Sequence, residues 1–123
     1  MKQEDKELLF KDLSARIPYH VRVKVLLKDG TTEEGSLDLQ HNYADVLLSA
    51  FYYNKIVDIK PYLRPMSSIT EVERKHWRDI SLSRPDWDFT ARCLDWLNSR
   101  HFDYRGLLER GLALEAPEDM YDI

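Results

Sequence analysis

Cysteine is almost missing from this chain of 123 residues: Cys93 stands alone, so no disulfide can close within it. Glycine is scarce as well, at four residues, and no glycine-rich loop of the kind that cradles phosphates can be built from them. No serine lies in a G-x-S-x-G elbow, which leaves hydrolase chemistry of that type without its nucleophile. Apolar stretches run for only a few residues, far short of the roughly 20 that cross a bilayer as a helix, so no membrane role is expected. A basic surplus is missing too. The formal net charge is -4, and residues 1–66 carry ten bases and ten acids while residues 67–123 carry eight and twelve. Proteins that hold nucleic acid chiefly by neutralising phosphates carry a basic excess or stripe. With no disulfide and no apolar leader-like segment, the expected location is the cytoplasm.

What is present suits one folded domain spanning residues 1–123. Hydrophobic residues make up 43% and charged residues 33%, and a chain of this length can bury about two thirds of the surface its unfolded form exposes. Leu9, Phe10, Leu13 and Ile17 form a helical apolar stripe, which predicts a helix over 4–15 that Pro18 ends. From Val21 the period becomes two: Val21, Val23, Val25 and Leu27 alternate with Arg22, Lys24 and Leu26, the pattern of a strand with one buried face. Asp29-Gly30 is a tight-turn signal, and Gly35, Leu37 and Leu39 continue as a second strand paired back on the first. Two further strands are predicted over 46–53 and 56–59. Pro61 and Pro65 bracket a segment expected to cross the surface or lie along an edge, because a proline has no amide to give a ladder.

The second half reads as helical. Thr70 with Glu73 is a capping box that predicts a helix to about Ile80. Phe89, Cys93, Trp96 and Leu97 share one face of a helix that ends near Asn98, and Cys93 on that face reads as a small core residue rather than a nucleophile. Asp103 is expected to cap a last short helix through Leu107 and Leu108, with Gly111 as its left-handed C-terminal cap. The tail, 116–123, reads as irregular. The expected fold class is therefore α+β: an N-terminal helix, a small antiparallel SH3-like or Sm-like sheet or partial barrel of about four strands, and two to three C-terminal helices packed on it.

Candidate chemistry is sparse. His20, His41, His76 and His101 show no metal-ligand spacing with one another or with Cys93, and no cofactor is expected. His41 with Asp45, and His101 with Asp103, are the pairs from which a small enzyme would have to be made. Phe51, Tyr52 and Tyr53 alternate faces on a strand, so one set points away from the core; an exposed Tyr52 can stack a base or anchor a protein. Arg64 and Arg105 stand near Tyr62, Tyr104 and prolines, a setting for stacking and carboxylate pairing that holds the sheet to the helices or forms a ligand site.

Two resemblances bear on these residues. Val21-x-Val23-x-Val25, Asp29-Gly30, Gly35-x-Leu37 and Leu48, after a helix, resemble the first motif of the Sm-like proteins, small RNA-associated barrels that assemble into rings. That resemblance implies a homo-oligomer and an RNA-facing loop at His41, Tyr43 and Asp45, although an aspartate and an asparagine stand at the loop's RNA-contacting positions in that family and the Arg-Gly pair of its second motif is absent here. Leu13 to Tyr19, Lys60 to Ser68, Asp95 to Asn98, Phe102 to Leu107 and Met120-Tyr121 resemble an uncharacterised group of small proteins of Bacteroides-type gut bacteria and their phages. It implies a bacterial or prophage setting and no mechanism. The leading functional expectation is a non-enzymatic accessory protein that binds another macromolecule, a protein in the first instance, through its β surface or the 61–65 segment. The alternative is an Sm-like or SH3-like nucleic-acid binder using Arg22, Lys24 and Lys28.

Overall fold

The computed structural model describes residues 2–37 and 56–121. Helix α1 (Gln3–Arg16) leads through a 3-10 turn at Ile17–Tyr19 into strand β1 (Val21–Leu27), β2 (Thr32–Leu37), β3 (Ile56–Leu63), a 3-10 turn at Met66–Ser68, helices α2 (Glu71–Ser81) and α3 (Phe89–Ser99), and a two-residue strand β4 (Leu114–Glu115). The four strands make one open sheet in the order β2-β1-β3-β4. The α+β architecture expected from the sequence is present, with β2, β1 and β3 antiparallel and β4 joining in parallel, so the sheet is mixed. The strand predicted over 46–53 lies outside the described residues.

Alternation along β1 decides which face is buried. Val21, Val23 and Val25 point inward at 0 to 9% exposure and meet Leu9, Leu13 and Ile17, together with Leu37, Ile59, Leu63, Leu107, Leu112 and Ala113. Pro18 sits in the first turn of the 3-10 segment, where its fixed φ is already suitable and no donor is needed. Helix α2 starts as its capping box predicts: Thr70 Oγ1 accepts the Glu73 amide at 3.2 Å, and Glu73 Oε1 accepts the Thr70 amide at 3.0 Å. Trp77 and Trp96 pack α2 on α3 with ring centroids 5.6 Å apart, and Trp96 stacks in turn on Phe102.

Three expectations need correcting. The segment from Pro61 is not a surface crossing: Pro61 is fully buried within β3, opposite Val23 of β1 and just before the point where β4 joins on the other side. The reason is ladder phase. In an antiparallel pair, successive residues turn their polar groups to alternate sides. The Arg22 N–H and the Tyr62 C=O face each other across β1 and β3, so the neighbouring position, Pro61, turns its nitrogen away from β1. On that other side β4 pairs only from Tyr62 onward, and the missing amide costs no hydrogen bond.

The short helix after Asp103 is a single turn instead. Asp103 does cap it, its two carboxylate oxygens accepting the amides of Leu107 and Leu108 at 2.8 and 2.9 Å. However, Gly106 and Gly111 both hold positive φ, and the left-handed residues bracket too few positions for a helix. Gly111 closes the turn as expected: Leu112 N–H reaches Leu107 O at 2.9 Å and Gly111 N–H reaches Leu108 O at 3.2 Å, the paired bonds of a Schellman cap.

The third correction concerns Cys93, which is half-buried rather than in the core. The described part of the tail is irregular, as its composition suggests, yet Tyr121 is anchored. Its hydroxyl accepts the Arg22 amide at 2.9 Å and donates to Tyr62 O at 2.7 Å. One phenol thus bridges β1 and β3 at the first position past their paired register. Tyr121→Phe should therefore cost about 1–2 kcal/mol, since both backbone groups lose their shared partner, a loss measurable as a lowered midpoint in urea unfolding with an unchanged slope.

Candidate functional site

The candidate residues divide into those the fold uses internally and those it turns outward. Arg64 belongs to the first group. It follows β3, where the chain pairs with the segment after α3: the Arg64 amide donates to His101 O at 2.8 Å and the Arg64 carbonyl accepts from the Asp103 amide at 2.9 Å. Its guanidinium holds Glu73 with two bonds of 2.8 and 2.7 Å, and also donates to Arg100 O and Ser68 O at 3.2 and 3.1 Å. It lies 4.3 Å from the centre of the Phe102 ring. Both side chains of the ion pair are under 10% exposed. The Arg64 hydrogen bonds, assisted by the Thr70 amide and against the effect of burial, hold the Glu73 carboxyl down at about 2.

Arg105 and Tyr104 join a second buried cluster, whose other members are less obvious in the sequence. Asp12 and Arg16 are fully buried on α1, one turn apart, and bond at 2.8 and 3.1 Å. Arg16 also donates to Phe102 O at 2.6 Å, and Arg105 reaches the same Asp12 carboxylate at 2.8 Å. The Tyr104 ring is near both guanidiniums, 5.2 Å from that of Arg16 and 4.6 Å from that of Arg105, and its hydroxyl donates to Asn98 Oδ1 at 2.8 Å. A charged residue at i and i+4 of an amphipathic helix ordinarily reads as a solvated pair. Only the return of the chain over 102–105 buries this one.

His101 and Asp103 share a turn but not a reaction centre. Asp103 is committed to the two amides it caps. His101 holds φ 63 as the left-handed residue that ends α3, with Phe102 N–H on Leu97 O and His101 N–H on Asn98 O, both at 3.1 Å. Its ring stacks on Tyr121 with centroids 3.7 Å apart. Burial, with the charges of Arg16 and Arg64 next to it, pushes the imidazole down to about 4, so it is neutral at pH 7. Burial likewise pushes the Tyr121 hydroxyl up to about 12. Among the described residues no group of three His, Cys, Asp or Glu side chains is placed to hold a metal ion, and no helix is long and apolar enough to cross a membrane. His41, Tyr43, Asp45 and Tyr52 lie outside the described residues.

The outward-facing set is on the sheet. Residues opposite Val21, Val23 and Val25 in phase are Arg22, Lys24 and Leu26, flanked by Ser36, Glu34 and Thr32 of β2 and by Lys60 and Asp58 of β3. Tyr62 crosses over β1 and donates to Glu34 at 2.6 Å; accepting that bond, Glu34 raises the Tyr62 hydroxyl above its ordinary range, with burial adding to the shift. With Glu34 so occupied, Lys24 sits directly opposite Lys60, whose nearest acid is Asp58 at 3.8 Å. Lys24, Lys60, Thr32 and Asp58 surround a cleft of about 210 Å³ with Leu26 and Leu114. A second, larger cleft of about 730 Å³ lies between residues 65–70 and residues 115–121.

Two outcomes follow from the buried groups. Glu73→Ala leaves the Arg64 charge buried without its partner and should cost about 3–5 kcal/mol, read from denaturant unfolding. For His101, the folded value lies below the ordinary 6.5, so the unfolded chain binds the extra proton and stability falls as pH drops from about 6.5 toward 4. His101→Asn keeps a side chain that tolerates a left-handed backbone and removes the titration. Between pH 7 and pH 5 the parent should lose about 2 kcal/mol that the variant retains. No family model, curated protein or solved structure matches this chain.

Proposed function

We propose that this protein is a non-enzymatic accessory module that binds another macromolecule through the outer face of its sheet. The observation that carries the reading is Lys24 standing directly opposite Lys60, beside a small cleft that also takes in Leu26 and Leu114. Like charges facing each other across a ladder destabilise it, and an anionic group of a partner removes that penalty. The apolar residues beside the lysines suit an acidic segment of a protein, whose side chains bring both charge and methylene surface. In support of a binding rather than a catalytic role, Asp103 and His101, the one of the two candidate His/Asp pairs that lies among the described residues, are occupied in capping and stacking. Arg64 and Arg105 are likewise drawn into ion pairs, with Glu73 and Asp12. The 61–64 stretch offers no docking strip, since Pro61, Leu63 and Arg64 are buried.

Nucleic-acid binding is the second reading. What favours it is Arg22 on the same face as Lys24 and Lys60, with Tyr62 next to them, so that phosphates and a stacked base have partners. A Sm-like or SH3-like barrel and a ring remain part of this proposal, resting on the motif of residues 21–48. The bacterial or phage-linked setting, in the cytoplasm, rests on the string resemblances alone. Lys24→Glu combined with Lys60→Glu should leave the thermal midpoint within a few degrees and abolish binding to the native partner. Fluorescence anisotropy with a short labelled single-stranded RNA, at low and then raised salt, separates the two readings. Binding that weakens steeply with salt and vanishes in the double variant supports nucleic acid; no binding by the folded parent at low salt removes it. Partner binding unchanged in the double variant would remove the sheet face altogether.

A further inference from the structure

Trp87 is 94% exposed and Leu82 78% exposed, both in the loop joining α2 to α3. Large apolar side chains this open on a loop usually reflect a mobile segment, but this loop is fixed from within. Arg92, from the first turn of α3, bonds Asp86 at 2.8 Å, Asp88, Ser83 Oγ at 3.3 Å and the Arg84 carbonyl at 3.2 Å. Ser83 Oγ in turn donates to Ile80 O at 2.6 Å. Every acid of the loop is thereby spent on Arg92, and the two apolar side chains are left pointing to solvent from a rigid frame. Such pre-organisation removes the ordering cost of binding, and a Trp beside arginines is the usual composition of an interface hot spot.

The surface leading to the loop is basic. Arg74 and Arg78 precede Leu82 at four-residue steps and so lie along one line of α2; with Arg84 they are exposed, and among the described residues none has an ion-pair partner. The larger cleft has the opposite character. It lies at the other end of α2, where Thr70 caps the helix, and its lining includes Pro65, Pro117, Ala116, Glu115 and Glu118. Both glutamates are exposed and, among the described residues, unpaired; Arg64 also borders the cleft but is committed to Glu73. At about 730 Å³ it is within the range of pockets that enclose a ligand of several rings, ample for an indole with an aliphatic neighbour.

We propose that the 82–87 loop of one molecule docks in the 65–70/115–121 cleft of a second copy, so that the chain self-associates head to tail. Trp87 enters between the prolines, Leu82 covers its edge, and Arg84 and Arg78 face Glu115 and Glu118. The two surfaces cannot satisfy each other within one molecule, because eleven residues of α2 hold them roughly 16 Å apart at 1.5 Å per residue. The contact is heterologous, so it builds rings or open chains rather than a closed two-fold dimer. It is small: Trp87 contributes about 150–250 Å² against the roughly 800 Å² per partner of a stable complex, so association is weak and concentration-dependent. This contact uses neither Lys24 nor Lys60 and stands independently of the function proposed for the sheet face.

Sedimentation velocity over a wide concentration range tests it, with Trp87→Ala and the double variant Glu115→Lys/Glu118→Lys. All three altered positions are exposed, and unchanged thermal midpoints confirm folding. The parent should grow in mass with concentration, while each variant alone stays monomeric. Mixed together, the two variants should form a 1:1 dimer and nothing larger, because each mixture supplies one intact loop on one molecule and one intact cleft on the other. A parent that stays monomeric at the highest concentration, a Trp87→Ala protein that associates like the parent, or a mixture that forms no dimer would overturn the proposal. Association lost in Trp87→Ala but kept in the glutamate variant would overturn the cleft as the docking partner.

Discussion

The ion pair between Arg64 and Glu73 is the constraint on which the arrangement of this protein turns. Removing two charges from water is expensive, and the attraction between them offsets that cost only when every donor and acceptor is used. Here both Glu73 oxygens and both terminal nitrogens of Arg64 are bonded: Glu73 serves Arg64 and the start of α2 together, and Arg64 also donates to carbonyls of the 66–68 turn and the end of α3. The strand end, the turn and two helices must therefore be in place at once. Phe102 extends the arrangement, with the Arg64 guanidinium over its ring and the Arg16 guanidinium on its carbonyl. Through Arg16 the same order reaches Asp12 and Arg105 on the far side of the core.

This interior use of charge changes how the surface should be interpreted. Of the 18 lysines and arginines, four are structural: Arg16, Arg64, Arg92 and Arg105 each tie together segments distant in sequence or brace a loop. Of the bases left outward, Arg22, Lys24 and Lys60 share the sheet face and Arg74 and Arg78 line α2. An acidic chain thereby presents two local basic surfaces with different neighbours, aliphatic and phenolic groups on the sheet, an indole at the loop.

Much of the fold was legible because its signals are local. The period-two valines, the Asp29-Gly30 turn and the Thr70/Glu73 box each act within a few residues, and β1, β2 and α2 start within a few residues of where those signals place them. What the sequence hid depends on chain returns. Asp12 and Arg16 resemble a solvated helix pair until residues 102–105 cover them. Pro61 reads as an edge residue because ladder phase is set by a partner strand, and phase is invisible without it. His101 carries no sign of its left-handed backbone, a role that glycine usually fills. The candidate sheet face was half legible: Arg22 and Lys24 stood out, whereas Lys60 becomes their neighbour only through the β1–β3 register. Trp87 carried no sign in the sequence that set it apart from Trp77 and Trp96; its place on a loop held by Arg92 does so.

The tyrosine wedge between β1 and β3 has a bearing on the order in which the molecule assembles. Strands β1 and β2 are a hairpin that closes a short loop, whereas β4 and Tyr121 meet β3 across roughly fifty residues, a closure whose entropy is met only by contacts made afterwards. On that ground the end of the described chain is expected to seat after the hairpin. A release of Tyr121 would uncover the Arg22 amide, the Tyr62 carbonyl and one face of the His101 ring together. If the two part separately, the hairpin-and-helix body and the latch would open as distinct units, with a single phenolic oxygen as the catch between them.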